Sequence, residues 1–163
     1  MRINEIFIIV LFPVIISCEN INFMGNDVND FIVVDTKLRT RFVLNYSDSI
    51  ASTNKWYDIP DKYKWLLDSN NNSHLKYKIY YFKSNPEELY FVTYNYDIII
   101  REVYNETIDE SFWTPLGDSL ISKSTRDRMI QRYKNEVLSK VEEYGKLKHL
   151  PDSIMYTYPI KGY

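Results

Sequence analysis

The chain has one cysteine, Cys18, in 163 residues. A single thiol cannot close an internal disulfide, and it leaves no cysteine cluster for zinc. With 4 glycines, glycine loops that cradle phosphate are absent, as is the G-x-S-x-G nucleophile turn. An excess of basic charge is missing too. Lys and Arg number 20 against 22 Asp and Glu, for a net charge of −2, so no electrostatic footprint for nucleic acid exists. No apolar run reaches the roughly 20 residues that cross a bilayer.

What is present is aromatic and β-branched. The chain has 15 Tyr, and 45% of its residues are apolar and 26% charged, a globular composition. Tyr, Ile and Phe favour pleated surfaces, so a substantial sheet is expected. The length suits one domain able to bury its own core.

The N-terminus carries the strongest signal. Eleven apolar residues, Ile6 to Ile16, follow Arg2 and end at Ser17-Cys18. That length matches the hydrophobic region of a secretory signal, about 7 to 15 residues. Pro13 would disrupt a buried helix but is tolerable in a segment that is removed. Ile15-Ile16-Ser17-Cys18 resembles the lipobox of bacterial lipoproteins: a branched apolar residue, then a small one, then the lipidated Cys. It departs from the common form in having Ile at the branched position.

The resemblance implies cleavage before Cys18, a diacylglycerol on its thiol, and a membrane-anchored place in the cell envelope. Two or three acyl chains give stable anchoring where one gives marginal binding. The expected organisation is a cleaved signal over 1–17, lipidated Cys18 with a tether to residue 30, and an α+β domain over 31–163.

Within that domain, Phe31 to Tyr46 alternates with period two and predicts a half-buried strand. A helix using Phe31, Val34, Leu38 and Phe42 is the alternative. Ser47 to Asn54 reads as loop, and Pro60 opens a short helix through Leu67. Asp68 to His74 is a turn cluster. Leu75–Tyr81, Leu89–Tyr94 and Ile98–Tyr104 predict three strands in an antiparallel meander.

Ser124 with Asp127 resembles a capping box. Ile130, Tyr133, Val137, Val141 and Tyr144 form one apolar stripe, and Gly145 suits a left-handed stop. The fold class expected is an antiparallel sheet packed against this long C-terminal amphipathic helix, with an edge strand over Ile154–Tyr158.

Groups for chemistry are sparse. His74 and His149 lack partners at metal-ligand spacing, so no metal or cofactor is implied. The pairs Glu87-Glu88, Asp109-Glu110 and Glu142-Glu143 read as solvated charge, since adjacent carboxylates on one element point apart. Trp56, Tyr57, Tyr63, Trp65 and Trp113 lie in expected loops or a short helix, where rings stack on sugars or anchor a protein partner. Packing is the competing role for them.

Asp48-Ser49-Ile50, Asp118-Ser119-Leu120 and Asp152-Ser153-Ile154 resemble the O-glycosylation motif of exported Bacteroidota proteins, which implies Ser49, Ser119 and Ser153 as acceptors. Asp-Ser pairs also start turns. Asn45, Asn71 and Asn105 match N-x-S/T, a route that a bacterial lipoprotein does not favour. The leading expectation is a non-enzymatic binding or accessory lipoprotein for a glycan or protein partner. An immunity or inhibitor protein against an envelope toxin or hydrolase is the alternative, and a hydrolase comes third.

Overall fold

The computed structural model describes residues 31–68, 75–109 and 113–157. The expected signal, Cys18, the tether and most of the 68–74 turn cluster lie outside these. The described fold is mixed α+β, with an antiparallel sheet of five strands and several helices.

Sheet formation follows the aromatic and β-branched runs. β2 (Tyr77–Phe82), β3 (Glu88–Tyr94) and β4 (Ile98–Tyr104) pair in sequence as antiparallel neighbours, the meander the alternation predicts. Two short strands, β1 (Ile32–Val33) and β5 (Thr114–Pro115), share the outer edge of β4 at different points along it. β3 lies between β4 and β2, and all seven of its residues are buried.

Alternation along β3 divides the core. Tyr90, Val92 and Tyr94 belong to the larger cluster, which also holds residues of the flanking helices. Leu89 belongs to a smaller cluster on the other side, with Tyr63, Leu66, Tyr81 and Tyr104. In β4 a bulge breaks the alternation: Val92 faces Ile100 while Phe91 faces Glu102, so Arg101 is the extra residue. An extra residue shifts the parity of everything beyond it. Ile98 and Ile100 therefore join the larger cluster before the bulge, and Val103 joins it after.

The expected long strand over 31–46 is overturned. Only Ile32–Val33 is extended in the sheet, and Thr40–Asn54 forms helix α1. The alternating pattern was compatible with a helix, and the helix buries more. Phe42, Val43, Ser47, Ile50 and Ala51 lie on its inner side, a stripe that continues through the segment read as loop. The predicted short helix after Pro60 is present as a 3₁₀ turn, Asp61–Tyr63, and α2, Lys64–Asp68.

Late in the chain three helical segments follow without a break: α3 (Lys123–Tyr133), a π turn (Lys134–Leu138) and α4 (Ser139–Leu147). Ser122, not Ser124, is the cap, accepting from Thr125 N–H at 3.2 Å. Gly145 is not the stop. It is buried inside α4, where a Cβ would lie 2.7 Å from Cζ of Phe42 and 2.8 Å from Cε of Met155. Close helix approach, rather than a left-handed turn, is what needs glycine there; the left-handed residue is His149, at φ 53°. Nor do the described residues of the expected edge strand, 154–157, form one. Asp152–Met155 is a short helix, α5, and Tyr156 makes one isolated bridge to Leu38.

Candidate functional site

Of the aromatic residues singled out in the sequence, three are packing residues by their placement. Trp56 is 2% exposed, with its ring edge-on to Tyr80. Tyr63 is equally buried and packs edge-on to Tyr104. Trp113 is half-buried, near the ring of Phe91, and donates from Nε1 to the Leu66 carbonyl at 3.1 Å. Tyr57 and Trp65 keep 39% and 47% of their surface exposed. Tyr57 donates to Asp48 at 2.8 Å, and Trp65 rests edge-on against Tyr104. The five do not form one surface. Ser49, Ser119 and Ser153 are exposed, on α1, a turn and α5. Cys18 lies outside the described residues.

What the fold does assemble is a cleft of about 590 Å³ at the end of β2, within the range of roughly 300–1,000 Å³ typical of ligand sites. One wall is the chain leaving α1: Asn54, Lys55, Trp56, Asp58 and Pro60. Lys62, Tyr81, Phe82, Lys83, Ser84, Glu87 and Glu136 supply the rest. Tyr81 N–H donates to the Trp56 carbonyl at 2.7 Å and pins the wall to the strand. Lys55 has a left-handed backbone, φ 55°, and its N–H bonds Ala51 to close α1. Such a conformation costs a non-glycine residue about 1–2 kcal/mol, and residues held this way cluster at functional sites.

Glu87 forms the floor of the charge arrangement. Its carboxylate accepts from Lys62 Nζ at 2.7 Å, Tyr63 OH at 2.6 Å and Tyr81 OH at 2.9 Å. Hydrogen bonds from Lys62, then Tyr63 and Tyr81, lower its pKa to about 2. The same contact with Glu87 raises the Lys62 ammonium well above its usual value. Burial first, and then Glu87, push the Tyr63 and Tyr81 hydroxyls up.

Glu88, the next residue, points to the other side of the sheet. It is not the solvated charge expected: its side chain has no exposed surface. Arg128 holds it with both guanidinium nitrogens, Arg132 at 2.7 Å, Tyr90 OH at 2.7 Å and Asn105 at 3.0 Å. Arg132 also donates to the carbonyls of Ser84 and Pro86, to the Ser84 hydroxyl, and to Glu136. One arginine thus clamps the β2–β3 turn and the π turn together at the cleft rim.

The shifted carboxylates among the described residues all move down. At Asp48 and Glu88 burial opposes ionisation, but hydrogen bonds from neighbouring donors outweigh it. Lysine contacts dominate at Asp61 and Glu142. Ionised carboxylates accept hydrogen bonds; a general acid needs the opposite shift. Among the described residues no group of three His, Cys, Asp or Glu could hold a metal, and no helix is long and apolar enough to cross a membrane.

Comparison with protein-family models, curated proteins and solved structures finds no match. The site therefore stands on its own geometry. Sequence reasoning missed Lys55, Asp58 and Lys83 as neighbours, because a backbone hydrogen bond between distant segments brings them together. It also missed Tyr96, 98% exposed at the tip of the β3–β4 hairpin; its position in Asn95-Tyr96-Asp97 between two strands was the available signal.

Proposed function

We propose that this chain is a lipid-anchored protein of a bacterial cell envelope whose folded domain is a non-enzymatic binding module, taking a glycan in the cleft at the end of β2. The observation that carries the reading is the cleft, where carboxylates, ammonium groups and hydroxyls line one concavity. A saccharide presents hydroxyls that both donate and accept, and such a lining answers both. Glu87, held low by Lys62 and two tyrosine hydroxyls, is an acceptor rather than a proton donor. The lipobox-like Ile15-Ile16-Ser17-Cys18 supports attachment to the membrane through Cys18. As scaffold, we read Lys123 to Leu147 as one long amphipathic helix, interrupted by a π turn, that covers the larger sheet face and brings Glu136 to the rim.

The test uses the full chain, expressed with a fatty-acid probe and purified in detergent. Wild type should take up the label and Cys18→Ala should not, and the substitution should release the protein from membranes. On a glycan array, wild type should retain a discrete set of glycans. Asp58→Trp, which fills the cleft from its exposed rim, should lose them. An array that retains nothing sinks the binding reading, and continued labelling of Cys18→Ala sinks the anchor.

A second reading, an immunity or inhibitor protein against an envelope toxin or hydrolase, is favoured by Tyr96. Its ring is fully presented while its carbonyl is fixed by the Thr40 hydroxyl at 2.9 Å. A large ring on a fixed backbone has the form of an interface anchor. A toxin gene beside this one would support that reading, and a polysaccharide-utilisation cluster would support the first.

A further inference from the structure

Resting on the glycan-binding reading, we propose that the cleft selects a saccharide bearing a carboxylate, a uronic-acid unit, read by Lys55 and Lys83. The charges that line the cleft divide into engaged and unengaged ones. Glu87 is occupied by Lys62 and two tyrosines, and Glu136 by Arg132. Three lining charges have no ion-pair partner among the described residues: Lys55, Lys83 and Asp58. The lining as a whole balances three lysines against three carboxylates, but among its unpaired charges the ammonium groups outnumber the carboxylate two to one. A uronate supplies the carboxylate for the lysines and ring hydroxyls that donate to Asp58.

The placement of the lysines is built into the fold. Lys55 immediately precedes Trp56, and Lys83 stands two residues after Tyr81, so they flank the Trp56–Tyr81 backbone hydrogen bond. An ammonium–carboxylate contact is a charge-assisted hydrogen bond, stronger than the hydroxyl contacts around it.

An acidic peptide carries the same charge, but the cleft suits it less. Extended peptides bind sheet edges through backbone hydrogen bonds. At this end of the β2 edge, Tyr81 N–H is already taken by Trp56.

Calorimetric titration of the detergent-purified full chain decides the matter, using a galacturonate trimer, the neutral galactose trimer of the same linkage, and a glutamate hexapeptide. The uronate trimer should bind about tenfold more tightly than the neutral one, the gain of one charge-assisted contact. Lys55→Gln and Lys83→Gln should each narrow that preference, while Lys123→Gln, outside the cleft, should bind as wild type. Added salt should weaken the uronate more than the neutral trimer. Equal affinity for the two trimers, or an undiminished preference in both cleft variants, overturns the proposal and leaves glycan binding standing. No affinity for either trimer overturns the proposal and leaves the glycan array to decide the wider reading, and tighter binding of the hexapeptide assigns the cleft to a peptide.

Discussion

Glu88 sits with no exposed side-chain surface among Arg128, Arg132, Tyr90 and Asn105. Burial raises the cost of its charge, and four donors more than offset that, holding its pKa below the usual carboxylate value. Removing one member of a buried ion pair leaves the others uncompensated, at about 3–5 kcal/mol. Glu88→Ala should therefore lower unfolding stability in urea by about that amount at pH 7. The pH dependence has a definite sign. A depressed native pKa contributes stability that is present above the unfolded value, about 4.3, and lost as pH falls through the folded one. The gap between wild type and Glu88→Ala should accordingly narrow below about pH 4. Nothing in the sequence marks Glu88 as different from Glu87; strand parity turns one toward the helices and the other toward the cleft.

Among the elements, α3 offers the cleanest test, because sequence and structure name different caps. Ser122 Oγ accepts from the Thr125 N–H, whereas Ser124 lies inside the first turn of the helix and only meets the Ser122 hydroxyl. Ser122→Ala should cost about 1 kcal/mol, read as a lowered thermal midpoint, with Ser124→Ala close to neutral. An equal loss in both would show that the hydroxyl pair, not the cap, carries the effect. That this segment is helical was legible; its first residue was not, since two serines stand two apart and either could accept. α1 is the larger failure. Alternation from Phe31 to Tyr46 satisfied a strand and a helix alike, and the choice depended on Ile50 and Ala51, which only a helix carries inward.

Across the whole molecule the sheet separates two cores of unequal size. The larger one lies under α1, α3, α4 and α5 and includes three buried tyrosines joined through their hydroxyls, Tyr80 to Tyr94 at 2.5 Å and Tyr94 to Tyr133 at 2.7 Å. On the other face, the described side chains of the 3₁₀ turn and α2 that are buried are Tyr63 and Leu66. Elements with few buried contacts open without global unfolding. Hydrogen exchange should find the β3 amides the slowest in the molecule, exchanging only when the whole domain unfolds. The amides of Lys64 to Leu67 should exchange faster, and with weaker dependence on denaturant. Equal protection in the two regions would mean that both cores open as one unit.

The meander was readable in advance because its signals are local. Each strand carries its own β-rich run, each turn its own Asn, Pro or Asp, and consecutive strands need only short links to pair. The expectation of an anchor at Cys18 is local in the same way, resting on a greasy run and one thiol. Only the tertiary structure decided the cleft and the buried Glu88 cluster. Both depend on contacts between residues far apart in sequence, Trp56 with Tyr81 and Glu88 with Arg128 and Arg132. Periodicity reports which way a side chain points within its own element. It carries no information about which distant side chain it will meet, and charge compensation, unlike strand formation, is settled by that meeting.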